Sequence, residues 1–418
     1  MATTSSQTDR IATLDIVRGV AVMGILAMNI VAFAMPMAAY MNPLAYGSEA
    51  PIDFAVYAFN FVLIDGKMRG LFSFLFGASM LLVIQRAEAR SESGAAVHYR
   101  RMLVLLLIGA IHFYLIWFGD ILFGYAMIGM VAFLFRGKEP RKLIIIGIAL
   151  VLLEFLMMAG MAAQVRDLAP QVAQPGASPE LLRQWNEMTA WVRVPTSAEI
   201  NQQMGLILGP WTGVARSQLT KHTLDPLFFS IMFGPETLAY MLFGMAALKS
   251  GYLTGRWSEE EYRRAAIRGY AISLPFYVLL IWLIFRSGFS VLALMTYSMA
   301  ATVLIRPFMI AAVAALIIYV TRQRGWLTQR IAAAGRTAFT NYLGTSIIMT
   351  GTFYGWGLGF FGELSRAQLW LVVIGMWVVM LAWSKPWLER FEYGPLEWLW
   401  RSLARGSVQP MRKFLPAA

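Results

Sequence analysis

Residues Arg10 to Ile30, RIATLDIVRGVAVMGILAMNI, form an apolar stretch of membrane-spanning length with a few polar groups. Asp15 and Arg18 lie at the mouth of the predicted helix, and Asn29 lies deep inside it. Arg18 and Asn29 are separated by three helical turns, so they share one face and lie roughly 16 Å apart along the axis. Polar side chains in a bilayer usually face a bundle interior or a wet cavity. We therefore predict a water-accessible polar stripe. The alternative is close helix packing in which Asn29 bonds to a neighbouring helix.

The composition predicts a polytopic membrane protein. The chain has 418 residues, of which 58% are hydrophobic and 14% charged, and its mean hydropathy is +0.60. Because Cys is absent, disulfides and thiolate chemistry are excluded, and three His leave no His-rich metal cluster, so we expect no metal. The net charge of +12 is typical of basic loops held on the cytoplasmic side. We therefore expect the lipid bilayer as a partner and no nucleic acid.

The fold class predicted from the apolar runs is all-α, with about ten transmembrane helices. Helix Asp53 to Ile64 is predicted to be an interfacial or half-buried helix on the outer side, because it adds too much length to the second span. The ten runs have near-spanning length and lie at 17–37, 68–85, 102–118, 121–135, 143–163, 227–248, 266–285, 298–320, 337–356 and 369–384.

The distribution of basic residues predicts the orientation. With the N-terminus inside, 25 of the 35 Lys and Arg residues fall on the inner side and 7 on the outer side. Cytoplasmic loops carry the excess of basic residues, so we predict that both termini are inside.

With this orientation, the longest hydrophilic segment lies outside. It divides the chain into four parts. Segment 164–226 contains PQVAQPG, which is typical of a loop, and ELLRQWNEMTAWV, which is typical of an amphipathic helix. We predict a helical extracytoplasmic cap there, acting as a substrate lid or merely as a long connector. It separates a five-helix half, 1–163, from a second five-helix half, 227–405, which is followed by a cytoplasmic tail, 406–418.

His112 is the predicted catalytic base. It precedes the tight outer turn at Gly119 and Asp120, so it lies roughly 10 Å below the outer surface, and Tyr125 lies at a similar depth on the next helix. Imidazole accepts and returns protons near neutral pH. Asp120 is expected to orient the ring, and Asn29 reaches a comparable depth. The alternative is that His112 has a structural role.

Ionisable residues in or near the spans are further candidates. Lys67 and Arg69, in DGKMRG at the outer end of the second span, either snorkel to the interface or bind an anionic or carbonyl group of a substrate. An ion pair with Arg is expected to satisfy Glu154. Glu236 follows Gly234-Pro235 at a helix break and is the better substrate-binding candidate.

A basic rim is predicted on the inner face. It combines Arg18 with Arg100 and Arg101 of the segment HYRRM. The positive-inside bias explains such a rim in most membrane proteins. The same residues are also suited to hold the phosphates of a nucleotide-bearing molecule.

Several motifs resemble those of the YeiB-type bacterial membrane proteins, a family built on a domain of unknown function. The resemblance spans nearly the whole chain except 164–226. The motifs are RIATLDIVRGVAVMGILAMNI (10–30), DGKMRGLFSFLFG (65–77), RRMLVLLLIGAIHFYLIWFGDILFGYAMIG (100–129), GRTAFTNYLGTSIIMTGTFYGWGLGFFG (335–362) and FEYGPLEWLWRSL (391–403).

This resemblance implies that the chain belongs to a superfamily of transmembrane acyltransferases. That superfamily includes the lysosomal heparan alpha-glucosaminide N-acetyltransferase and bacterial O-acyltransferases, which share the LD-x-x-RG opening. In the O-acyltransferases a catalytic His follows the Arg eleven residues later, and here Asn29 stands in that place. The heparan enzyme also has Asn there and carries its His in the following outer loop, but this chain has no His between Val31 and Asp53.

The resemblance together with the candidate residues predicts an acyltransferase of the bacterial inner membrane. Acyl-CoA, most simply acetyl-CoA, is the expected donor substrate, held by Arg18, Arg100 and Arg101. A sugar, glycan or lipid is the expected acceptor. His112, Asp120 and Asn29 would carry out the chemistry: His112 acts as the base or carries the acyl group itself, and Asn29 or Arg69 stabilises the oxyanion. Lys67, Arg69, Tyr125 and Glu236 would bind the acceptor. A transporter or exporter of a small or lipidic solute, a non-catalytic scaffold or sensor, and a homodimer remain open.

Overall fold

The protein is all-α, as predicted. The computed structural model describes residues 5–323 and 325–413, with side chains from residue 12 onwards; the end of the predicted tail 406–418 lies outside the described residues. The N-terminal half contains α1 (Ser5–Ala34), α2 (Pro51–Leu63), α3 (Lys67–Glu88), α4 (Gly94–Leu115), α5 (Leu122–Ala132) and α6 (Pro140–Val172).

The rest of the chain begins with short helices and continues with long apolar ones. The short helices are α7 (Pro179–Thr189), α8 (Ser197–Ile207), α9 (Trp211–Lys221) and α10 (Asp225–Met232). They are followed by α11 (Gly234–Lys249), α12 (Glu259–Arg286), α13 (Val291–Ala293), a π-helical turn (Leu294–Ala300), α14 (Ala301–Val320), α15 (Trp326–Arg336), α16 (Ala338–Phe353), α17 (Arg366–Arg390) and α18 (Pro395–Arg405).

Each of the ten predicted apolar runs overlaps a helix, but not every helix is long enough to count as a span. Among the described residues, seven helical segments are long and apolar enough to cross a membrane, or eight if the bent pair α10 and α11 forms one span. Helices α5 and α16 are shorter, with 11 and 16 residues. The ten-span count therefore stays a prediction.

The predicted interfacial helix is joined directly to the next span. Helices α2 and α3 are separated only by the turn at Ile64 to Gly66, and together they form one apolar segment of 38 residues, Pro51–Glu88. A separate α2 was expected because the sequence contains more apolar residues than one crossing needs. The structure accommodates the extra length by breaking the helix at Gly66, where φ is +70°.

Helix α1 lies at the centre of the bundle. In its most apolar window 78% of residues are buried, whereas only 28% are buried in the corresponding windows of α4 and α6. Its neighbour α15 approaches very closely, because a Cβ at Gly335 would lie 1.8 Å from the carbonyl oxygen of Asp15. Small residues allow this backbone contact, which is typical of helices packed in membranes.

The predicted cap segment starts later than expected. Helix α6 runs on to Val172, beyond the expected boundary at 163, and includes Pro170 of the PQVAQPG motif. The expected amphipathic helix is α7, whose N-cap Ser178 accepts a hydrogen bond from the Leu181 amide. Helices α8 and α9 complete the segment.

Candidate functional site

A large cavity lies among α1, α3, α5, α6, α11 and the π-helical turn. Its volume is about 600 Å³, within the range of small-molecule pockets. One side is closed by α10 and by Glu187, Met188 and Trp191 from the predicted cap segment. Most of the wall is apolar and includes nine methionines. Its ionisable lining groups are Asp65, Lys67, Arg69, Asp120, Tyr40, Tyr57, Tyr125, Glu154, Glu187, Glu236 and Arg306.

Glu236 organises the charged end of this cavity. Its Oε2 accepts a hydrogen bond from Nη2 of Arg69 at 2.5 Å, and its Oε1 accepts from Nη1 of Arg306 and from the Tyr240 hydroxyl. The chain bends by 59° between α10 and α11, and α11 begins at Gly234-Pro235, which places Glu236 in its first turn. A carboxylate there is stabilised by the helix dipole. One carboxylate thus joins α3, α11 and α14.

Glu154 does not form the ion pair that was expected. Instead, its Oε2 accepts a hydrogen bond from the backbone nitrogen of Glu236 at 3.3 Å, and Arg306 pairs with Glu236. The other carboxyl oxygen, Oε1, is buried and has no hydrogen-bond partner among the described residues. The expectation was wrong because α11 presents its orphan N-terminal amides to Glu154, which satisfies one oxygen without an Arg.

Lys67 lines the cavity and does not snorkel toward an interface. The residue is 1% exposed, its Nζ donates to the Phe61 carbonyl, and Nζ lies 3.5 Å from the centre of the Tyr277 ring. Gly66 lets this turn pack against α14, because a Cβ there would lie 2.5 Å from Nε of Arg306. The ammonium is thus stabilised by a carbonyl and by an aromatic face.

His112 and Asp120 form the predicted contact. Nδ1 of His112 lies 2.8 Å from Oδ1 of Asp120, and Oδ2 of Asp120 accepts a hydrogen bond from the Phe123 amide at 2.7 Å. The carboxylate therefore also satisfies a donor at the start of α5. His112 is fully buried, and its Nε2 has no hydrogen-bond partner among the described residues.

Asp120 and Asn29 both line the cavity, whereas His112 lies behind its wall. The indole of Trp117 lines the cavity, and its ring centre lies 6.3 Å from that of His112. A narrow crevice of about 10 Å³ is lined by Asn29, Trp117 and Tyr342, the last of which also contacts the imidazole. Two of the three predicted catalytic residues thus line the cavity, and the third, His112, lies behind its wall.

Tyr125 belongs to the charged end of the cavity. Its hydroxyl donates to the Arg69 carbonyl at 3.1 Å and lies 2.7 Å from the Ser73 hydroxyl. Tyr125 lies in the first turn of α5, and Asp120 lies two residues before this helix begins. The short segment at the start of α5 therefore contributes to both ends of the cavity.

The predicted cofactor residues on the inner rim do not line the cavity. Arg18 donates to Asp15 at 2.9 Å and to Ser79 at 2.8 Å, Arg100 is exposed, and Arg101 lies 4.3 Å above the centre of the Trp400 ring.

The predicted wet stripe between Arg18 and Asn29 is interrupted. Val22 and Ile25, which lie between them on α1, are 2% and 3% exposed. The expectation of a continuous stripe was wrong because α1 is central and its middle turns pack against apolar neighbours.

Arg306, Asp65 and the π-helical turn belong to the site but are not among the residues predicted from the sequence. Arg306 had a usable signal, since it is a charged residue inside an apolar span. The π-helical turn had none, because LMTYSMA resembles any apolar helix. Thr302, two residues after the end of this turn, accepts a hydrogen bond from Nη2 of Arg306 at 2.7 Å. Among the described residues, no group of three or more His, Cys, Asp and Glu is arranged to hold a metal ion.

Comparison with known proteins identifies relatives along nearly the whole chain. Residues 247–407 match a family model described as "Protein of unknown function (DUF418)". The "Uncharacterized protein YxaH" of Bacillus subtilis (strain 168) is 33% identical, over 97% of this chain and 96% of that protein. The "Uncharacterized protein YeiB" of Escherichia coli (strain K12) is 32% identical, over 96% of this chain and 98% of that protein. No solved structure matches the chain significantly.

Proposed function

The chain belongs to the YeiB-like family of multi-pass membrane proteins, and we propose that it is an integral membrane acyltransferase. It would move an acyl group, most simply acetyl, from cytoplasmic acyl-CoA to a sugar, glycan or lipid acceptor on the outer side of the bacterial inner membrane. The observation that carries this proposal is the buried His112–Asp120 pair: Asp120 lines the large cavity, and the imidazole, whose Nε2 has no hydrogen-bond partner among the described residues, lies behind the Trp117 indole of the cavity wall.

The hydrogen bond to Asp120 defines the role of each imidazole nitrogen. If Nδ1 donates to the carboxylate, Nε2 carries the lone pair and can accept a proton. A buried nitrogen without a partner has lost its hydration, so a substrate hydroxyl is a favourable replacement partner. Trp117 lies against His112 and lines the cavity, so the acceptor must reach Nε2 past this indole.

The proposed reaction is a single acyl transfer. His112 Nε2 takes the proton of the acceptor hydroxyl or amine, whose oxygen or nitrogen attacks the thioester carbonyl carbon. Asn29, whose side chain makes no hydrogen bond to a described residue, would donate to the developing oxyanion. The carbon–sulfur bond then breaks, and the thiolate leaves with the proton from His112. The products are an ester or amide and free CoA.

The donor would bind its phosphates at the inner rim formed by Arg18, Arg100 and Arg101. Arg101 and His112 are three turns apart on α4, which corresponds to about 16 Å, and an elongated donor arm suits that separation. Since Val22 and Ile25 are buried between the rim and the cavity, donor binding must move α1 relative to its neighbours. Arg100 and Arg101 are guanidinium groups, which suit phosphate recognition.

The test is transfer of labelled acetyl groups from acetyl-CoA by the purified protein in vesicles of bacterial polar lipid. His112→Gln and Asp120→Asn are expected to lower the rate by about 10²–10⁴-fold, the usual contribution of a general base. His222→Gln is the matched control, because His222 makes the same contact of 2.8 Å with Asp225 but on the exposed surface. Full activity of His112→Gln would remove this residue from the mechanism. If the wild type neither transfers the acetyl group nor hydrolyses acetyl-CoA, the proposal that the protein is an acyltransferase is refuted.

A transporter is the second candidate. The observation in its favour is the ion network of Glu236, Arg69 and Arg306 beside the 59° bend, because charged groups at broken helices are typical of transport sites. A transporter predicts movement of a lipidic solute across vesicles without acyl-CoA. His112→Gln would leave that movement unchanged, whereas Glu236→Gln would reduce it.

A further inference from the structure

The cavity combines a charged end with walls that suit hydrocarbon. Nine methionines and several Phe and Trp side chains line it, and flexible thioethers adapt to chains of irregular shape. A free sugar would leave most of this wall without a suitable contact. A ligand that fills the cavity is therefore amphipathic.

Arg69 has hydrogen-bond donors at the charged end from which no described residue accepts. The cations Lys67, Arg69 and Arg306 line this end together with the carboxylates of Asp65, Glu154 and Glu236, so the charges of the wall itself are balanced. Arg69 makes one side-chain hydrogen bond to a described residue, Glu236, and 20% of its side chain is exposed. A phosphate oxygen of a lipid head group can accept from its remaining N–H groups.

The same end also offers an acceptor for hydroxyl groups. Glu154 Oε1 is buried, lines the cavity and has no hydrogen-bond partner among the described residues. Trp117 Nε1, at the His112 end, is a buried donor that likewise has no hydrogen-bond partner among the described residues. A head group that carries hydroxyls next to its negative charge satisfies both kinds of side chain.

Helix α10 separates the cavity from the exterior. Phe229, Met232 and Phe233 line the cavity, whereas Leu227 and Ile231 are 42% and 64% exposed on the other face. Phe228 does both, since it lines the cavity and is 56% exposed. In a bilayer this exposed apolar face contacts lipid. The cavity therefore meets the hydrocarbon at Phe228.

We propose that the cavity binds an anionic polyol lipid, which enters from the bilayer beside α10. Its negative head lies against Arg69 and Lys67, its hydroxyls reach Glu154 and the Asn29 end, and its chains leave past Phe228. The identification of this lipid as the acyl acceptor rests on the proposed function, but its binding does not.

The test measures binding of three probes to the full-length protein in a neutral maltoside detergent, by thermal unfolding. Dioctanoyl phosphatidylglycerol has charge, hydroxyls and chains. Dioctanoyl phosphatidylcholine lacks net charge and hydroxyls, and glycerol 3-phosphate lacks chains. We expect phosphatidylglycerol to bind at least tenfold more tightly than either of the others. Equal or tighter binding of phosphatidylcholine would overturn the claim that the site selects an anionic head group. Equal binding of glycerol 3-phosphate would overturn the claim that the ligand is a lipid.

Gly124→Leu tests the location without changing a charge. Gly124 lines the cavity, and the nearest atom to an added Cβ is Ser230 Oγ at 3.4 Å, so the larger side chain extends into the cavity without a clash at its Cβ. Gly160→Leu is the matched control on α6, where an added Cβ meets nothing within 4 Å. We expect Gly124→Leu to weaken phosphatidylglycerol binding at least tenfold and Gly160→Leu to leave it unchanged. Unchanged binding by Gly124→Leu would overturn the site.

Two further variants separate this proposal from the proposed reaction. Arg69→Met is expected to lower the phosphatidylglycerol affinity about tenfold, because hydrogen bonds to charged groups are worth about 1.4 kcal/mol or more. His222→Gln, on the exposed surface and outside the cavity lining, is expected to bind phosphatidylglycerol as the wild type does. Wild-type binding without any acyl transfer would refute the reaction but not the site, whereas acyl transfer to a soluble acceptor without lipid binding would refute the site alone.

Discussion

Helices α3 and α11 pack closely, and their contact depends on two reciprocal glycines. A Cβ at Gly244 of α11 would lie 1.7 Å from the carbonyl oxygen of Phe74, and a Cβ at Gly77 of α3 would lie 2.1 Å from that of Met241. The obstacle is backbone in both cases, so no side-chain rotation relieves it. Gly244→Ala must therefore push the two helices apart.

The size of this effect follows from the distances. Ordinary van der Waals contact begins near 3.4 Å, so the Cβ at Gly244 needs a separation larger by about 1.7 Å. Overpacking of this kind costs about 1–3 kcal/mol, and we take the upper end because backbone must move. Replacing a helical Gly by Ala returns up to about 1 kcal/mol of helix propensity. The expected net loss is about 2 kcal/mol.

The assay is reversible unfolding in mixed micelles with increasing dodecyl sulfate. Gly244→Ala is expected to lower the free energy of unfolding by about 2 kcal/mol. Gly160→Ala, where an added Cβ meets nothing within 4 Å, should keep or slightly raise it. Because α3 and α11 carry Arg69 and Glu236, Gly244→Ala should also weaken phosphatidylglycerol binding. Equal stability of the two Ala variants would refute the argument from close packing.

Two further predictions concern groups outside the spans. Hydrogen bonds from Arg193 and from the backbone at Thr196 lower the pKa of Glu199 from 4.5 to about 2, so its stabilisation of α8 is complete above pH 4.5 and is lost as the pH falls toward 2. Hydrogen exchange of the α8 amides should accelerate over this acid range in the wild type but not in Glu199→Gln. The same acceleration in the variant would show that another group causes it. Glu397, the carboxylate of the GPLEW segment, accepts hydrogen bonds from the Phe339 and Thr340 amides at the start of α16. Glu397→Ala should cost about 1–2 kcal/mol in the same unfolding assay, with partial recovery in Glu397→Gln; an unchanged free energy would show that this cap is dispensable.

The sequence alone determined the helical architecture and the local contact across the turn at Gly119. Long apolar runs can bury their backbone polar groups in a bilayer only as helices, so hydropathy predicted where the helices lie. His112 and Asp120 flank one short turn between antiparallel helices, so their contact followed from spacing along the chain. Both inferences use information within about twenty residues.

Only the tertiary structure decided which distant groups meet. Arg69 and Glu236 are 167 positions apart, and Arg306 pairs with Glu236 and not with Glu154. Closure of the face between Arg18 and Asn29 likewise depends on how neighbouring helices pack against α1. Hydropathy records how far each helix prefers lipid to water, but it does not record which helices are neighbours or how they are rotated. The pairing of ions between spans is set by that packing.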